Sequence, residues 1–239
     1  ARKVCKSLFF LMSKGVRAGC MPHSDAVDLF KKLILPVITY AAEVLCPSDA
    51  VVGQVDELML LVLSKITHIP LGTHPRKALW EAGVKDFRSL LVEAKLRFHY
   101  KLCQGKNPSS SRKFYTEFNY LRVCVAGHLA ELGLQKYTPD LILRESSRKS
   151  LSGWKWKKVV AGALEVMMRK EAVGACGPLL ALKPDPEVCG WIDRIPSHYL
   201  PAFMATRHSA HPRMECSCLR GPLQNVGWHL LFECGLVDN

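Results

Sequence analysis

Apolar residues recur along this chain at the spacing of one helix face. Between residues 55 and 69, apolar side chains stand at i, i+3, i+4, i+7, i+11 and i+14. These residues are Val55, Leu58, Met59, Val62, Ile66 and Ile69. A period near 3.6 residues predicts an amphipathic helix. Pro70 and Gly72 follow, and both favour its termination there.

Start and stop residues predict helices on both sides of this one. Ser24 is a candidate N-cap for a helix that reaches Pro36. Proline lacks the amide hydrogen that an inner helical turn needs, so Pro36 predicts a kink or a restart. A further helical stretch is then predicted from Val37 to Leu45.

The next boundaries are set by proline, aspartate and glycine. Pro75 opens a short predicted helix that Gly83 closes. Asp86 opens another, which Gly105 terminates. The composition of residues 106 to 113, Lys-Asn-Pro-Ser-Ser-Ser-Arg-Lys, predicts a linker.

The remaining pattern is also helical, and no strand-like alternation persists. Residues 114 to 131 predict a helix that stops near Gly133, and apolar residues from Trp156 to Met167 share another helix face. We therefore predict an all-α fold. It comprises a helical bundle over residues 1–105, a basic helical segment with linkers over 106–190, and a small C-terminal module over 191–239.

Positive charge is clustered in this sequence. Lys and Arg number 33 against 21 acidic residues, which gives a net charge of +12. Residues 144 to 170 carry eight basic and two acidic side chains, and the first twenty-four residues carry five basic and no acidic ones. Clustered charge favours a polyanionic partner such as RNA or DNA. A basic protein without such a partner is the alternative.

A short run of alternating tryptophans and lysines is the candidate nucleic-acid contact. Indole faces stack on bases, and lysine and arginine neutralise phosphates. The predicted nucleic-acid-binding residues are Trp154, Lys155, Trp156, Lys157, Lys158, Arg148, Lys149 and Arg207. The alternative is a tryptophan that anchors the helix to the core, with solvated lysines around it.

Four candidate zinc ligands lie near the end of the sequence. Cys216, Cys218, His229 and Cys234 follow the pattern C-x-C-x10-H-x4-C. Thiolate and imidazole are ligands that zinc prefers, and four of them complete a tetrahedral site. The alternative is that these residues are simply core, because those around His229 are apolar.

Several catalytic signatures are missing from the sequence. It has no adjacent aspartates, no phosphate-binding G-x-x-x-x-G-K motif and no G-x-S-x-G motif. We therefore expect that the chain is not an enzyme by itself. A zinc enzyme is the remaining alternative, and Glu215 and Glu233 are its nearest candidate acids.

No apolar run approaches the length of a membrane span, and no secretory signal is visible. We expect no membrane partner and an intracellular protein, nuclear or cytoplasmic. The basic, acid-poor start is also typical of an organelle transit peptide, so an organelle is the alternative location.

Four blocks of this sequence resemble the C-terminal region of LINE-type non-LTR retrotransposon reverse transcriptases. Residues 29–44, LFKKLILPVITYAAEV, resemble the segment after the palm, although Leu45 stands where the family often has tryptophan. Residues 74–83, HPRKALWEAG, and 205–209, ATRHS, are similar to two later blocks. The tail matches the CCHC knuckle of the family, with Leu219 in place of a common glycine.

The resemblance implies a thumb-like domain and a zinc knuckle that grip RNA or an RNA–DNA hybrid. The palm, with its Tyr-x-Asp-Asp motif, is absent from this sequence, so polymerase activity is not implied. One alternative is a domesticated remnant that serves as a structural subunit of a ribonucleoprotein, such as an organelle ribosome. A decayed element copy without a selected role is another.

Overall fold

Ten α-helices make up most of the part of the chain that the computed structural model describes, which is residues 2–104, 108–137, 153–176, 192–196 and 198–208. No strand occurs within these ranges, so the all-α prediction is confirmed. None of the helices in the same ranges has the length and apolar character needed to cross a bilayer. The helices are α1 (Arg2–Ser13), α2 (His23–Leu29), α3 (Leu35–Ile38), α4 (Asp49–Ile66), α5 (Pro75–Glu81), α6 (Phe87–Gln104), α7 (Pro108–Glu117), α8 (Asn119–Glu131), α9 (Gly153–Cys176) and α10 (Leu200–His208).

Several predicted helix boundaries are confirmed by their local contacts. Asp86 caps α6, because its Oδ1 accepts the Ser89 amide at 2.8 Å and its Oδ2 accepts the Ser89 hydroxyl at 3.1 Å. Such a cap contributes about 1 kcal/mol. Pro75 is the first residue of α5, and Gly83 follows that helix with φ of +58°. Glycine suits this left-handed conformation because it has no Cβ.

The prediction around Pro36 is only partly right. Residues Phe30–Ile34 form a π-helical segment that leads directly into α3, in which Pro36 lies. The Leu35 amide bonds to the Phe30 carbonyl, five residues back. The wider turn accommodates a proline that has no amide for the usual bond. Helix α3 ends at Ile38, so the prediction of a helix to Leu45 is wrong.

Residues 108 to 113, which the sequence predicted as part of a linker, are helical instead. Helix α7 begins at Pro108, where the missing amide costs nothing because first-turn amides have no helical partner. The single helix predicted for residues 114–131 is broken at Phe118, whose φ of −111° and ψ of 57° are not helical. Helix α8 then ends just before Gly133, as predicted.

The chain forms two compact units, each built from separate stretches of sequence. Unit 1 comprises the described parts of Ala1–Ile38, Gln54–Val84 and Ala172–Asn239, and unit 2 those of Thr39–Gly53 and Lys85–Glu171. This division differs from the predicted segments 1–105, 106–190 and 191–239. Helix α6 belongs to unit 2 because its apolar face packs against α8 and α9. That core consists of Val92, Leu96, Leu121, Val125, Leu129, Leu134, Trp156, Val160 and Leu164.

Candidate nucleic-acid interface

Trp156 lies in the core of unit 2 and fixes the start of α9. Its side chain is 3% exposed, and its indole Nε1 donates to the Leu96 carbonyl at 3.3 Å. The Tyr100 ring stacks on it with centroids 5.8 Å apart, and the Tyr137 ring meets it edge to face at 5.4 Å. These contacts correct the predicted role of Trp156, because its ring is enclosed by protein and is not available to a base.

Lys155, Lys157 and Lys158 are all exposed. The buried stripe of α9 runs through Trp156, Val160, Leu164 and Met168 at intervals of four residues, and the three lysines lie off this stripe. Residues 153 to 164 include no acidic side chain. Three exposed lysines therefore lie in the first turns of one ordered helix.

The helix itself opposes this placement of cations. The N-terminal end of a helix carries partial positive charge, which disfavours a cation in the first turn, here Lys155, by about 0.3–1 kcal/mol. An anion bound at this end would reduce both that cost and the mutual repulsion of the lysines. The arrangement therefore suits a ligand with several negative charges.

Lys136 is a fourth exposed cation, in a turn that packs on this helix through Tyr137, and sequence reasoning missed it. It lies in the 3₁₀ turn Gln135–Tyr137 and is exposed. Its Nζ is 5.2 Å from the centroid of the Tyr137 ring, which in turn packs on Trp156. This proximity comes from tertiary packing, and the sequence around Lys136 gives no signal for it.

A buried histidine holds the turn that carries Lys136. His99 Nε2 donates to the Tyr137 carbonyl at 3.0 Å, and its Nδ1 accepts from the Tyr115 hydroxyl at 2.6 Å. A carbonyl only accepts, so the ring carries its proton on Nε2. Burial lowers the pKa of His99 to about 4, and the bond to Tyr137 opposes this in part. His99 is therefore a neutral structural residue at physiological pH.

Arg207 is buried within unit 1, and its predicted phosphate contact needs correction. Its Nε donates to Glu81 Oε2 at 3.1 Å, and the two side chains are only 5% and 0% exposed. Both residues belong to unit 1. A guanidinium engaged in a buried ion pair is not available to a nucleic acid, so Arg207 has a structural role.

The other predicted site residues lie outside the described residues. These are Arg148, Lys149, Cys216, Cys218, His229 and Cys234, and for Trp154 only the backbone is described. Within the described ranges, no three His, Cys, Asp or Glu side chains are grouped to hold a metal ion. The zinc site of the tail therefore stays a prediction from the sequence.

The four lysines together can attract a polyanion. We call Lys136, Lys155, Lys157 and Lys158 the basic surface.

No protein-family model, curated protein or solved structure matches this chain.

Proposed function

We propose that this chain binds RNA or an RNA–DNA hybrid through the basic surface. The observation that carries the proposal is the opposite placement of neighbouring side chains on α9. Trp156 is enclosed in the core, while Lys155, Lys157 and Lys158 are exposed on a stretch without acids. The four sequence blocks that resemble LINE-type reverse transcriptases support the same partner. The chain would be the nucleic-acid-binding C-terminal part of such a protein, without the palm active site.

The chemistry of the basic surface favours contacts to phosphate over contacts to bases. Lysine ammonium groups are compact charges on flexible stems and bind phosphates without reading the sequence. Each neutralised phosphate releases condensed counterions, so affinity falls steeply with salt. We therefore propose binding that is strongly salt-dependent and only weakly selective for sequence.

The test is to remove the three lysines of α9 together. For the variant K155A/K157A/K158A, we expect the slope of log K against log salt to become shallower by about 2 to 3. The probe is a fluorescent RNA–DNA hybrid of twenty base pairs, with anisotropy titrations between 50 and 200 mM salt. The arginine variant K155R/K157R/K158R keeps the charge and should keep the slope.

A matched control removes the same charge elsewhere. Lys32 and Lys113 already pair with Asp28 and Glu117, and Lys65 is exposed on α4. The variant K32A/K65A/K113A should therefore bind nearly as wild type does. An equal loss of affinity in both triple variants would show that only net charge matters and would contradict the assignment of the site to the basic surface. Negligible binding of the wild-type chain at 50 mM salt would overturn the function.

A further inference from the structure

Two cysteines from distant parts of the sequence lie near each other, Cys124 on helix α8 and Cys46 in the segment before α4. The Tyr120 hydroxyl donates to the Val44 carbonyl at 3.4 Å, which places the segment before α4 alongside α8. Two residues further on, the Cys46 thiol is close enough to the Cys124 thiol to influence its ionisation. Tyr120 and Cys124 lie four residues apart, on one face of the helix. The segment before α4 can therefore pass Tyr120 at Val44 and Cys124 at Cys46. All four residues belong to unit 2.

The two thiols differ in accessibility. Cys46 is exposed, whereas Cys124 is partly buried. Burial raises the pKa of the Cys124 thiol to about 11, so this group is protonated at neutral pH and is a poor nucleophile without a base. A reagent in solution would therefore react first at Cys46.

A base for Cys124 is already in place on the same helix. His128 Nε2 lies 3.3 Å from Cys124 Sγ, and His128 Nδ1 lies 3.5 Å from Glu131 Oε2. Burial lowers the pKa of His128, so its ring is neutral at physiological pH and can accept a proton. With Nδ1–H directed at the carboxylate, Nε2 is the nitrogen that faces the thiol. This order of thiol, imidazole and carboxylate activates cysteine in other proteins.

Charged groups also surround this site. Lys95 is 1% exposed and lies close enough to Cys124 and His128 to affect both, and its positive charge favours a thiolate at Cys124. Arg88 pairs with Glu131 at 3.3 Å and fixes that carboxylate beside His128. These cations would stabilise negative charge on sulfur while the proton is on His128.

We propose that Cys46 and Cys124 form a reversible disulfide by exchange with a low-molecular-weight disulfide. The Cys46 thiolate attacks the reagent R–S–S–R, which releases one R–S⁻ and leaves Cys46 as a mixed disulfide. His128 takes the Cys124 proton, the Cys124 sulfur attacks the Cys46 sulfur, and the second R–S⁻ leaves with the proton from His128. Two protein thiols are oxidised to one disulfide, and one reagent disulfide is reduced to two thiols.

The test uses the full chain with oxidised glutathione, followed by alkylation of remaining thiols and peptide mass spectrometry. We expect a Cys46–Cys124 disulfide in the wild-type chain. In C124S the reaction should stop at a Cys46–glutathione mixed disulfide. In H128Q that mixed disulfide should form at the normal rate, while closure to the protein disulfide slows by about a hundredfold or more.

Cys20 provides the matched control, because it is also exposed and lies on unit 1. The variant C20S should form the Cys46–Cys124 disulfide as fast as wild type. Alkylation of Cys124 in the oxidised wild-type chain, or pairing of Cys46 with another cysteine, would overturn the proposal. An H128Q variant that closes the disulfide at the wild-type rate would overturn the role of His128.

Discussion

Residues 155 to 158 show how adjacent side chains take different roles at the residue scale. Successive positions on a helix point about 100° apart, so a single tryptophan can enter the core while its neighbours stay in solvent. Trp156 is buried because Tyr100, Tyr137 and the Leu96 carbonyl complete its surroundings. The sequence predicted the lysines as surface cations. It placed Trp156 among the nucleic-acid contacts, with a core anchor as the alternative, because the partners that bury this ring come from distant residues.

His99 gives a prediction of pH dependence at this scale. Its pKa is about 4 in the folded chain, against an ordinary value of 6.5. Between these values the unfolded chain binds a proton that the folded chain does not, so the free energy of unfolding falls as the pH is lowered from 6.5 towards 4. At pH 4.5 we expect a loss of about 2–3 kcal/mol from this group. Urea unfolding at pH 7 and pH 4.5 measures it.

The variant H99Q isolates this contribution from that of other histidines. Glutamine retains hydrogen-bonding groups but does not titrate, so the difference in stability between the two pH values should become smaller by a similar amount. A pH dependence that is the same in H99Q and wild type would show that His99 does not cause it.

Buried contacts between helices decide the packing at the element scale. Helices α5 and α10 of unit 1 are joined by the ion pair between Glu81 and Arg207 and by a bond from Lys77 Nζ to the His208 carbonyl at 3.3 Å. The sequence block around residue 207 was interpreted as part of a nucleic-acid-binding region. The structure uses its arginine to hold two helices together.

We expect R207A to lower the free energy of unfolding by about 3–5 kcal/mol, because it leaves a buried charge at Glu81 without its partner. The double variant R207M/E81M removes both charges and should recover most of the loss. The control is R169A, which breaks an exposed pair with Glu165 and should cost less than about 1 kcal/mol. Urea unfolding compares the three variants. A loss in R207A no larger than in R169A would contradict this assignment.

Helices with clear periodicity and end signals could be predicted, and those with conflicting local signals could not. Helices α4 and α6 follow directly from the apolar spacing and from Asp86. Helix α7 was missed because serine, asparagine and proline usually favour turns, yet proline also fits the first position of a helix. The π-helical segment depends on how the chain accommodates Pro36, which composition does not reveal.

At the scale of the whole molecule, the grouping of helices into units could not be predicted from sequence order. Trp156 bonds to a carbonyl sixty residues away, and this contact brings α6 and α9 into the same core. Such pairings depend on the shapes of both surfaces, which a one-dimensional pattern does not contain. The same is true of the site, because Lys136 joins the basic surface only through Tyr137.

The tail module gives a prediction at this scale. We expect the chain to bind about one zinc ion through Cys216, Cys218, His229 and Cys234, because this ligand set closes a tetrahedral site. Metal analysis after dialysis should show loss of the zinc in C216S/C218S and its retention in C20S. The far-ultraviolet helical signal should change little on chelation, because the ten described helices contain none of these ligands. A wild-type chain that takes up no zinc would contradict the prediction.

The enclosure of Trp156 has a consequence for the way a polymer would travel over this protein. The backbone at the start of α9 is already ordered, so binding carries no entropic cost of ordering it. The ammonium groups sit at the ends of flexible stems and can pass from one phosphate to the next without a change in the helix. A rigid helix that carries flexible cationic side chains suits a strand that slides along the protein. It would let this chain stay bound to a nucleic acid without stopping at any one nucleotide.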